Sequence, residues 1–389
     1  MKTQQQANVP KADFPPELLQ ASLKERVDYF KTRLIDHSLL NVAFKKAMAA
    51  LGSSSGPRVV TITGPTGVGK TTMARRIYRQ LMKNYEAEIA ADPSMVPVLG
   101  INAIPPNGTS FNWKDFYFRL LEKNGDVLLD HKLNLPRQGN MFPELLSPPP
   151  SEGATADTLR RALEKCIRTR RTKFLIVDEG HHLMMVKDDG RLEYQFESLK
   201  SLTIETDVII VLVGTYRLLD IREHSGQLVR RSEVVPLSRY DFRRQGHKHS
   251  FASALATLQN KMPLEETPDL VPDAEYFYLK TGGCIGILKD WLTRCLEQAI
   301  LENRKTVDTE FASRFALDNK GLTTIIEEAL AGEAKLSDVS LDSIKTLLAD
   351  GMPKVIDAPE DPNKKKTPKR RVGERNPVRD QTGGFHVAP

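Results

Sequence analysis

Four residues between positions 64 and 71 have the types and the spacing needed to hold a phosphate group. Gly64, Gly69, Lys70 and Thr71 fill the pattern G-x-x-x-x-G-K-[ST]. In this pattern glycines let backbone N–H groups close around phosphate oxygens, the lysine reaches the β- and γ-phosphates, and the hydroxyl binds Mg²⁺. The sequence therefore predicts a Walker A loop that binds a nucleoside triphosphate. The residues predicted to contact the nucleotide are Gly64, Pro65, Thr66, Gly67, Val68, Gly69, Lys70, Thr71 and Thr72.

Both flanks of this loop predict the secondary structure that such a loop requires. Residues 59–63 favour a β-strand, and residues 73–82 place apolar side chains at helical spacing. A phosphate-binding loop joins a strand to a helix so that the helix N-terminus points at the ligand. The alternative, a chance glycine-rich turn, requires neither flank, so the context favours the Walker A interpretation.

A pair of acidic residues ends another apolar run further along the chain. Residues 174–177 are apolar, and Asp178 and Glu179 follow them. Because parallel strands present their carboxyl ends at one edge of a sheet, these acids are predicted to lie opposite the loop. Asp178 would then hold Mg²⁺ through water together with Thr71, and Glu179 would orient and polarise the attacking water. This is a Walker B arrangement. An apolar strand that ends in two acids is weak evidence alone, but it is strong evidence when a Walker A loop precedes it in the chain.

Other polar residues lie where P-loop ATPases of the AAA+ class place catalytic groups. Thr215 directly follows the apolar run 208–214. In AAA+ proteins a residue at this place, called sensor 1, hydrogen-bonds near the γ-phosphate. The alternative is that Thr215 is an ordinary helix cap. Arg230 and Arg231 precede a short predicted strand. This is where AAA+ proteins keep the arginine finger that completes a neighbouring subunit's site. We therefore predict Thr215, Arg230 and Arg231 as catalytic groups beside Glu179.

Histidine and cysteine residues offer a second, weaker possibility, that of a bound transition metal. His181 and His182 follow the Walker B acids directly. Two adjacent histidines on a regular element cannot both face one ion, and no third ligand is evident, so we expect no metal there. The three cysteines form no C-x-x-C pair, so we expect neither a disulfide nor a zinc site.

The net charge of +6 is concentrated near the end of the sequence. Residues 363–379 hold eight basic residues and one acid, so the rest of the chain is close to neutral. Such a basic arm has the composition of disorder. Two interpretations stay open, a solvated flexible end and a nucleic-acid-binding arm.

Composition and length are typical of a soluble protein with one large α/β domain and appendages. The chain has 389 residues, of which 40% are hydrophobic. No apolar run approaches the ~20 residues that span a bilayer, and the N-terminus lacks the apolar core of a signal peptide, so we expect a cytoplasmic protein without membrane contact. The predicted divisions are a flexible N-terminus at 1–20, a nucleotide-binding domain with an N-terminal helical segment at 21–240, a helical lid at 241–330, and an extension at 331–389 with a short helix and the basic tail.

With these residues assembled, the chain resembles the TnsC/TniB family of AAA+ ATPases, which regulate target choice in DNA transposition, including that of CRISPR-associated transposons. The Asp-Glu-x-His-x-Leu run and the Gly-Gly-x-Ile-Gly stretch are the most discriminating parts. The likeness extends over about residues 30–315. The stretches that carry it are 178–183, 199–202, 213–216, 227–231 and 281–288.

The resemblance implies an α/β fold, an AAA+ P-loop ATPase with a parallel central sheet followed by a small helical lid domain. It implies ATP and Mg²⁺ as cofactors, and a homo-oligomer, a ring or helical filament, on double-stranded DNA in the bacterial cytoplasm. It also implies a transposase and a TniQ-like target-selection protein as partners, with hydrolysis driving disassembly. One departure concerns the lid helix, where the arginine often placed as sensor 2 is missing and Lys289 is left as the candidate.

DNA contact would have to come from a local patch, because the body of the chain has no net positive charge. The resemblance places that patch on the segment after the second predicted strand, residues 96–101. The predicted helix 112–123 in this segment carries Lys114, Arg119 and Lys123, which we predict to contact DNA phosphates. A solvated helix face is the alternative.

Two other kinds of AAA+ switch are alternatives to a transposition regulator. An origin-recognition-like loader should carry a winged-helix domain after the lid, and the residues after Thr309 are few and lack a clear recognition helix. A signalling ATPase without DNA contact should carry repeats or a sensor domain, and the sequence shows neither.

Overall fold

A five-stranded parallel sheet is the centre of the fold. The computed structural model describes residues 11–53, 56–106, 110–124, 155–185, 189–220 and 231–350. The strands are β1 Val59–Thr63, β2 Val98–Asn102, β3 Phe174–Asp178, β4 Ile209–Gly214 and β5 Ser232–Pro236. Their order across the sheet is β2-β3-β4-β1-β5, and every described pairing is parallel.

Helices occupy most of the remaining described residues. They are α1 Leu23–Thr32, α2 Ser38–Gly52, α3 Lys70–Asn84, α4 Glu86–Ala91, α5 Trp113–Lys123, α6 Ala156–Thr169, α7 Asp189–Thr206, α8 Gln245–Asn260, α9 Ala274–Leu279, α10 Ile285–Leu301, α11 Thr309–Ser313, α12 Asn319–Lys335 and α13 Leu341–Asp350. Short 3₁₀ turns lie at Pro16–Gln20, Gly180–Met184, Tyr216–Leu219 and Val271–Asp273. Among the described helices, none is long and apolar enough to cross a membrane.

Two central strands, β1 and β3, are buried along their whole length because helices cover both faces of the sheet. All five residues of β1 and of β3 are buried, as expected for a parallel sheet between two helical layers. Side chains alternate between two cores: Leu175 and Val177 pack with α5 and α6, whereas Phe174 and Ile176 pack with α2 and α3. The two helical layers hold the strands in position, and this also sets the positions of the polar residues that follow β1, β3 and β4.

The helices that follow β5 have a core of their own. Trp291 is fully buried in α10, and its indole N–H donates to the carbonyl oxygen of Ala312 (2.7 Å). Phe30 of α1 joins this core together with Phe251 and Phe277. The first helix of the predicted nucleotide-binding domain therefore packs on the lid helices, while α2 packs on the sheet.

The predicted fold class, an α/β P-loop fold with a parallel sheet and a following helical region, is confirmed. The chain divides into two compact units, Met1–Leu336 and Ser337–Pro389, and α12 runs across the boundary that we predicted at residue 330. Within the predicted flexible N-terminus, residues 16–20 form a 3₁₀ turn and the N–H of Asp13 donates to the carbonyl of Asn260. Residues 1–10 and the basic tail lie outside the described residues.

Candidate active site

The loop between β1 and α3 has a backbone that requires glycine at several positions. Gly67 and Gly69 have φ angles of +74° and +105°, in the left-handed region that disfavours side chains. Gly64 is restricted by contact, because a Cβ there would lie 2.2 Å from the carbonyl oxygen of Leu237. These glycines give the loop the tight curvature that wrapping a phosphate requires. The other predicted loop residues lie in the same turn or in the first turn of α3: Pro65, Thr66, Val68, Thr71 and Thr72.

Lys70 begins α3 and its side chain points back over the loop. Its Nζ donates hydrogen bonds to the carbonyl oxygens of Gly64 (3.1 Å) and Pro65 (2.8 Å). Burial lowers the pKa of this ammonium, and the carboxylates of Glu179 and Asp178 offset part of that shift. The cation is therefore held at the loop within electrostatic reach of the predicted Walker B acids.

The ends of β3 and β4 bring the acids and Thr215 to the same edge of the sheet as the loop. Thr63, the last residue of β1, pairs with Gly214, and its hydroxyl donates to the carbonyl of Thr215 (2.9 Å). Asp178 is buried at the end of β3, and its Oδ1 accepts a hydrogen bond from the N–H of Glu179 (2.9 Å). Glu179 then leaves the strand with a φ of +53°. The Walker A residues, the paired acids and Thr215 are thus brought together.

Thr215 has a buried hydroxyl that no described group satisfies. It occupies the N-cap position of the turn Tyr216–Leu219 but makes no capping hydrogen bond, so the ordinary-cap alternative is not what the structure shows. Its Oγ1 is buried without a hydrogen-bond partner among the described residues, and so are Tyr216 OH and His181 Nδ1. An unsatisfied buried polar atom costs roughly 1–3 kcal/mol, so such a group needs an explanation.

The three residues that carry these unsatisfied atoms line one cavity. It has a volume of about 400 Å³, and its lining includes Thr215, Tyr216 and His181 together with Gly64, Pro65 and Thr66 of the loop. A polar ligand in this cavity would supply the missing hydrogen-bond partners. The residues present therefore fit a phosphate-bearing ligand.

The first turn of α10 lies directly on the predicted phosphate-binding loop. The N–H of Ile287 donates to the carbonyl oxygen of Gly67 (3.3 Å), and a Cβ on Gly286 would lie 2.4 Å from that oxygen. The last glycine of the Gly-Gly-x-Ile-Gly stretch is explained by this approach, because any side chain at Gly286 would lift the helix off the loop. The first turn of α10, which falls in the predicted lid, is thus in contact with the Walker A residues.

Residues 53–221 match a protein-family model described as an AAA domain. The chain carries an AAA-type P-loop ATPase domain. The match includes the Walker A loop, the paired acids and Thr215, and it ends before β5.

Solved structures with a similar fold come from several archaeal and bacterial proteins. The ORC2 protein of Aeropyrum pernix is 15% identical with a TM-score of 0.43, over 73% of this chain and 68% of that chain. A Walker-type ATPase of Pyrococcus abyssi is 14% identical with a TM-score of 0.46, over 79% and 80%. Domain III of the replication initiation protein DnaA of Thermotoga maritima is 16% identical with a TM-score of 0.40, over 74% and 95%. No curated protein matches the sequence.

Lys289, the candidate for sensor 2, makes structural contacts between α10 and the end of α1, outside the residues that match the AAA domain model. Its Nζ donates to the carbonyl oxygens of Lys31 (2.7 Å) and Arg33 (2.5 Å), so it ties α10 to the end of α1. Lys289 also lines a small cavity of about 50 Å³ with Gly69 and Thr72 of the Walker A region. The side chain lies near the loop, but its donors are used by backbone oxygens, and its role toward nucleotide stays a prediction.

A set of contacts that the sequence analysis missed holds α12 against the cavity. Arg239, which follows β5, is buried and lies 2.9 Å from a carboxylate oxygen of Glu333. Gly332 lies against Tyr216, where an added Cβ would be 2.0 Å from the ring. No local sequence motif could reveal these contacts, because Arg239 and Glu333 are 94 positions apart in the chain.

Replacing Gly332 by alanine should loosen α12. The added methyl group cannot fit against the Tyr216 ring, so we expect unfolding in urea to occur at lower concentration, with a loss of about 1–3 kcal/mol in the free energy of unfolding. Gly246→Ala, in the first turn of α8, is the matched control, because nothing lies within 4 Å of a Cβ built there. Equal unfolding curves for the two variants would contradict the proposed tight contact.

Arg231 lies at the opposite edge of the sheet from the loop. Arg231 is exposed and immediately precedes β5. The first residue of β5, Ser232, pairs with Val59 at the start of β1. The loop follows the other end of β1, about 16 Å away at 3.3 Å per strand residue. Arg231 and Arg58 line a cavity of about 760 Å³ at this edge. Arg231 is therefore too far from the loop of its own chain, and Arg230 lies outside the described residues.

The three residues predicted to bind DNA lie on α5 but do not form one stripe. Lys114 is exposed and lies five positions before Arg119, which corresponds to about 140° around the helix. Arg119 lies 3.9 Å from Asp115, and Lys123 Nζ donates to the carbonyl of Gly100 (3.1 Å). A DNA role for these residues stays a prediction.

Proposed function

We propose that the AAA-type domain binds ATP with Mg²⁺ and hydrolyses it as a switch. The observation that carries this proposal is the meeting of Lys70, the Asp178–Glu179 pair and the unsatisfied hydroxyl of Thr215 at one edge of the sheet. Phosphate oxygens would give Thr215 Oγ1 the partner that it lacks, and they would offer Lys70 Nζ an acceptor besides the carbonyl oxygens of Gly64 and Pro65. Thr71 and Asp178 would hold Mg²⁺, which neutralises phosphate charge when bound.

In this proposal Glu179 orients and polarises the attacking water. Its side chain is 43% exposed, so water can reach the carboxylate, whereas Asp178 beside it is buried. This difference suits the two acids to different roles, a partly hydrated base and a buried ligand for Mg²⁺. Thr215 would hold a phosphate oxygen or the water in place from the neighbouring strand.

We further propose that the protein acts as a homo-oligomer, a ring or helical filament. Support comes from Arg231, which is exposed and too far from its own loop to act there. If this arginine acts on a phosphate group, that phosphate must lie in the site of an adjacent copy. Assembly would then be a condition of fast hydrolysis.

The proposed biological role is regulation of DNA transposition. The family resemblance supports an oligomer on double-stranded DNA that links a TniQ-like target-selection protein to the transposase, with hydrolysis driving disassembly. Because the chain outside residues 363–379 is close to neutral, DNA contact would depend on local basic residues repeated along the oligomer. Lys114, Arg119 and Lys123 are the proposed contacts, and the basic tail is the alternative.

Duplex-DNA affinity measured against salt concentration tests this role. We expect tight, sequence-independent binding only with a non-hydrolysable ATP analogue, and a fall of about 10³–10⁵ in affinity between 50 and 200 mM salt if six to ten phosphates are neutralised. A truncation after Gly351 should keep this binding, and Lys114→Glu should weaken it. Lys24→Glu, an exposed lysine on α1, is the matched control for the change of charge.

The same measurement distinguishes the two possible DNA-binding regions. Binding that disappears with the tail and ignores the ATP analogue would contradict an ATP-dependent oligomer on DNA. Binding that is equally weakened by Lys24→Glu and Lys114→Glu would show a general charge effect and contradict the proposed contact on α5.

A further inference from the structure

Three potential metal ligands meet directly after the Walker B strand. The ligand atoms of Glu179, His181 and His182 all lie within 4.8 Å of one another, and the two imidazole centroids are 4.2 Å apart. The premise that no third ligand lies near the two histidines is therefore wrong. Adjacent histidines can converge here because the chain turns at Glu179, with φ of +53°, into the 3₁₀ turn Gly180–Met184 rather than continuing as a regular strand.

The donor atoms of this cluster are available. Nδ1 of His181 and Nδ1 of His182 are buried and have no hydrogen-bond partner among the described residues. A carboxylate oxygen of Glu179 lies 3.3 Å from His181 Nδ1, which is close to the separation of two ligands on one metal ion. Bound ligands of a tetrahedral ion lie roughly 3.4 Å apart, given metal–ligand distances of about 2.0–2.2 Å. Glu179 and His181 already have this separation, and the ligand atoms of the cluster, all within 4.8 Å of one another, must approach by no more than about 1.4 Å to bind one ion.

The donor set selects the class of ion. Two imidazoles and one carboxylate suit Zn²⁺ and its neighbours in the first transition row, whereas Mg²⁺ prefers oxygen ligands alone. His181 also lines the 400 Å³ cavity, so the cluster adjoins a space that a water molecule or a phosphate oxygen can enter. The site is thus distinct in chemistry from the Mg²⁺ ligands Thr71 and Asp178, although it adjoins them.

We propose that Glu179, His181 and His182 bind a Zn²⁺ ion that holds the protein inactive. The carboxylate and the two neutral imidazoles coordinate the ion without any change in covalent bonds. While it is coordinated, the carboxylate of Glu179 cannot orient or polarise water, so hydrolysis stops although the Walker A loop stays free to bind nucleotide. Metal binding rests on the geometry of the cluster alone, and the inhibition rests on the proposed function of Glu179.

Cobalt titration of the full-length protein tests the site directly. Co²⁺ serves as a coloured probe, and we expect one ion per chain with the intense visible absorption of tetrahedral nitrogen and oxygen coordination, lost when Zn²⁺ displaces it. Excess Mg²⁺ and the absence of nucleotide keep cobalt from the oxygen ligands. Each of His181→Asn, His182→Asn and Glu179→Gln should weaken cobalt binding at least tenfold. His249→Asn, an exposed histidine on α8, is the matched control and should bind as the wild type does.

The failure of this proposal can be told apart from the failure of the ATPase proposal. Lys70→Ala should lose nucleotide but keep cobalt binding, so the metal result does not depend on hydrolysis. Glu179→Gln preserves side-chain shape and serves if a histidine variant fails to fold. Cobalt affinity that is unchanged in all three ligand variants would overturn the site. In an active wild-type enzyme, hydrolysis that continues at the full rate with one Zn²⁺ bound per chain would overturn the inhibition.

Discussion

Glu179→Gln is expected to keep ATP bound and to slow its hydrolysis by about 10²- to 10⁴-fold, the usual contribution of a positioned acid–base group. The change removes the carboxylate that would polarise water and keeps the shape of the side chain. Lys70, Thr71 and Asp178 stay in place, so the phosphate and Mg²⁺ contacts should persist. A fluorescent ATP analogue measures binding, and phosphate release measures turnover.

Two further variants serve as controls for Glu179→Gln. Lys70→Ala removes the cation that would reach the phosphates and should lose nucleotide itself, so its defect appears in binding rather than in turnover alone. Glu275→Gln, an exposed glutamate on α9, repeats the chemical change away from the site and should behave as the wild type. Equal turnover in Glu179→Gln and in wild type would contradict the assignment of Glu179 as the base.

The parts of the site that the sequence predicted depend on short spacings. The Walker A pattern fits within one loop, and β1 and β3 have strand-favouring residues along runs that are fully buried because both faces of the sheet are covered. In a parallel sheet the residues after such strands must meet at one edge, so the grouping of Asp178, Glu179 and Thr215 followed from strand identity alone. Local pattern and topology were sufficient for these groups.

Other contacts depend on packing between segments far apart in the chain. The approach of α10 to the Walker A loop, and the pairing of Arg239 with Glu333, require the positions of whole helices, which no local pattern gives. Lys289 has the charge and the place expected of a phosphate contact, yet it donates to carbonyl oxygens at the end of α1. A residue type alone cannot show which of several acceptors is nearest.

The histidine cluster shows a different limit, that of backbone conformation. The expectation that His181 and His182 diverge assumed a regular element after β3. The left-handed conformation of Glu179 starts a 3₁₀ turn instead, and it folds the glutamate and both rings toward one place. A non-glycine residue at positive φ is uncommon and is not predicted from residue type, except as a tendency of Asn and Asp.

Arg231→Ala is expected to bind ATP and to lose hydrolysis by about 10³- to 10⁵-fold, the range attributed to an arginine finger. Arg231 is exposed at the edge of the sheet opposite its own loop, so the loss would occur in the site of the neighbouring copy. Arg231→Lys should recover little, because lysine keeps the charge but lacks the planar fork that contacts two phosphate oxygens. Phosphate release and the size of the assembly, measured together across protein concentration, would show both defects.

Mixing two inactive variants provides the decisive form of this test. In a mixed oligomer, the intact loop of an Arg231→Ala subunit can face the intact Arg231 of a Lys70→Ala subunit, so each such interface contains one complete site. Activity should therefore appear in the mixture although neither variant hydrolyses ATP alone, and it should rise with total concentration as subunits assemble. A wild-type preparation that stays monomeric and hydrolyses ATP at its full rate would contradict an action of Arg231 between subunits, because a single chain cannot bring this residue to its own loop.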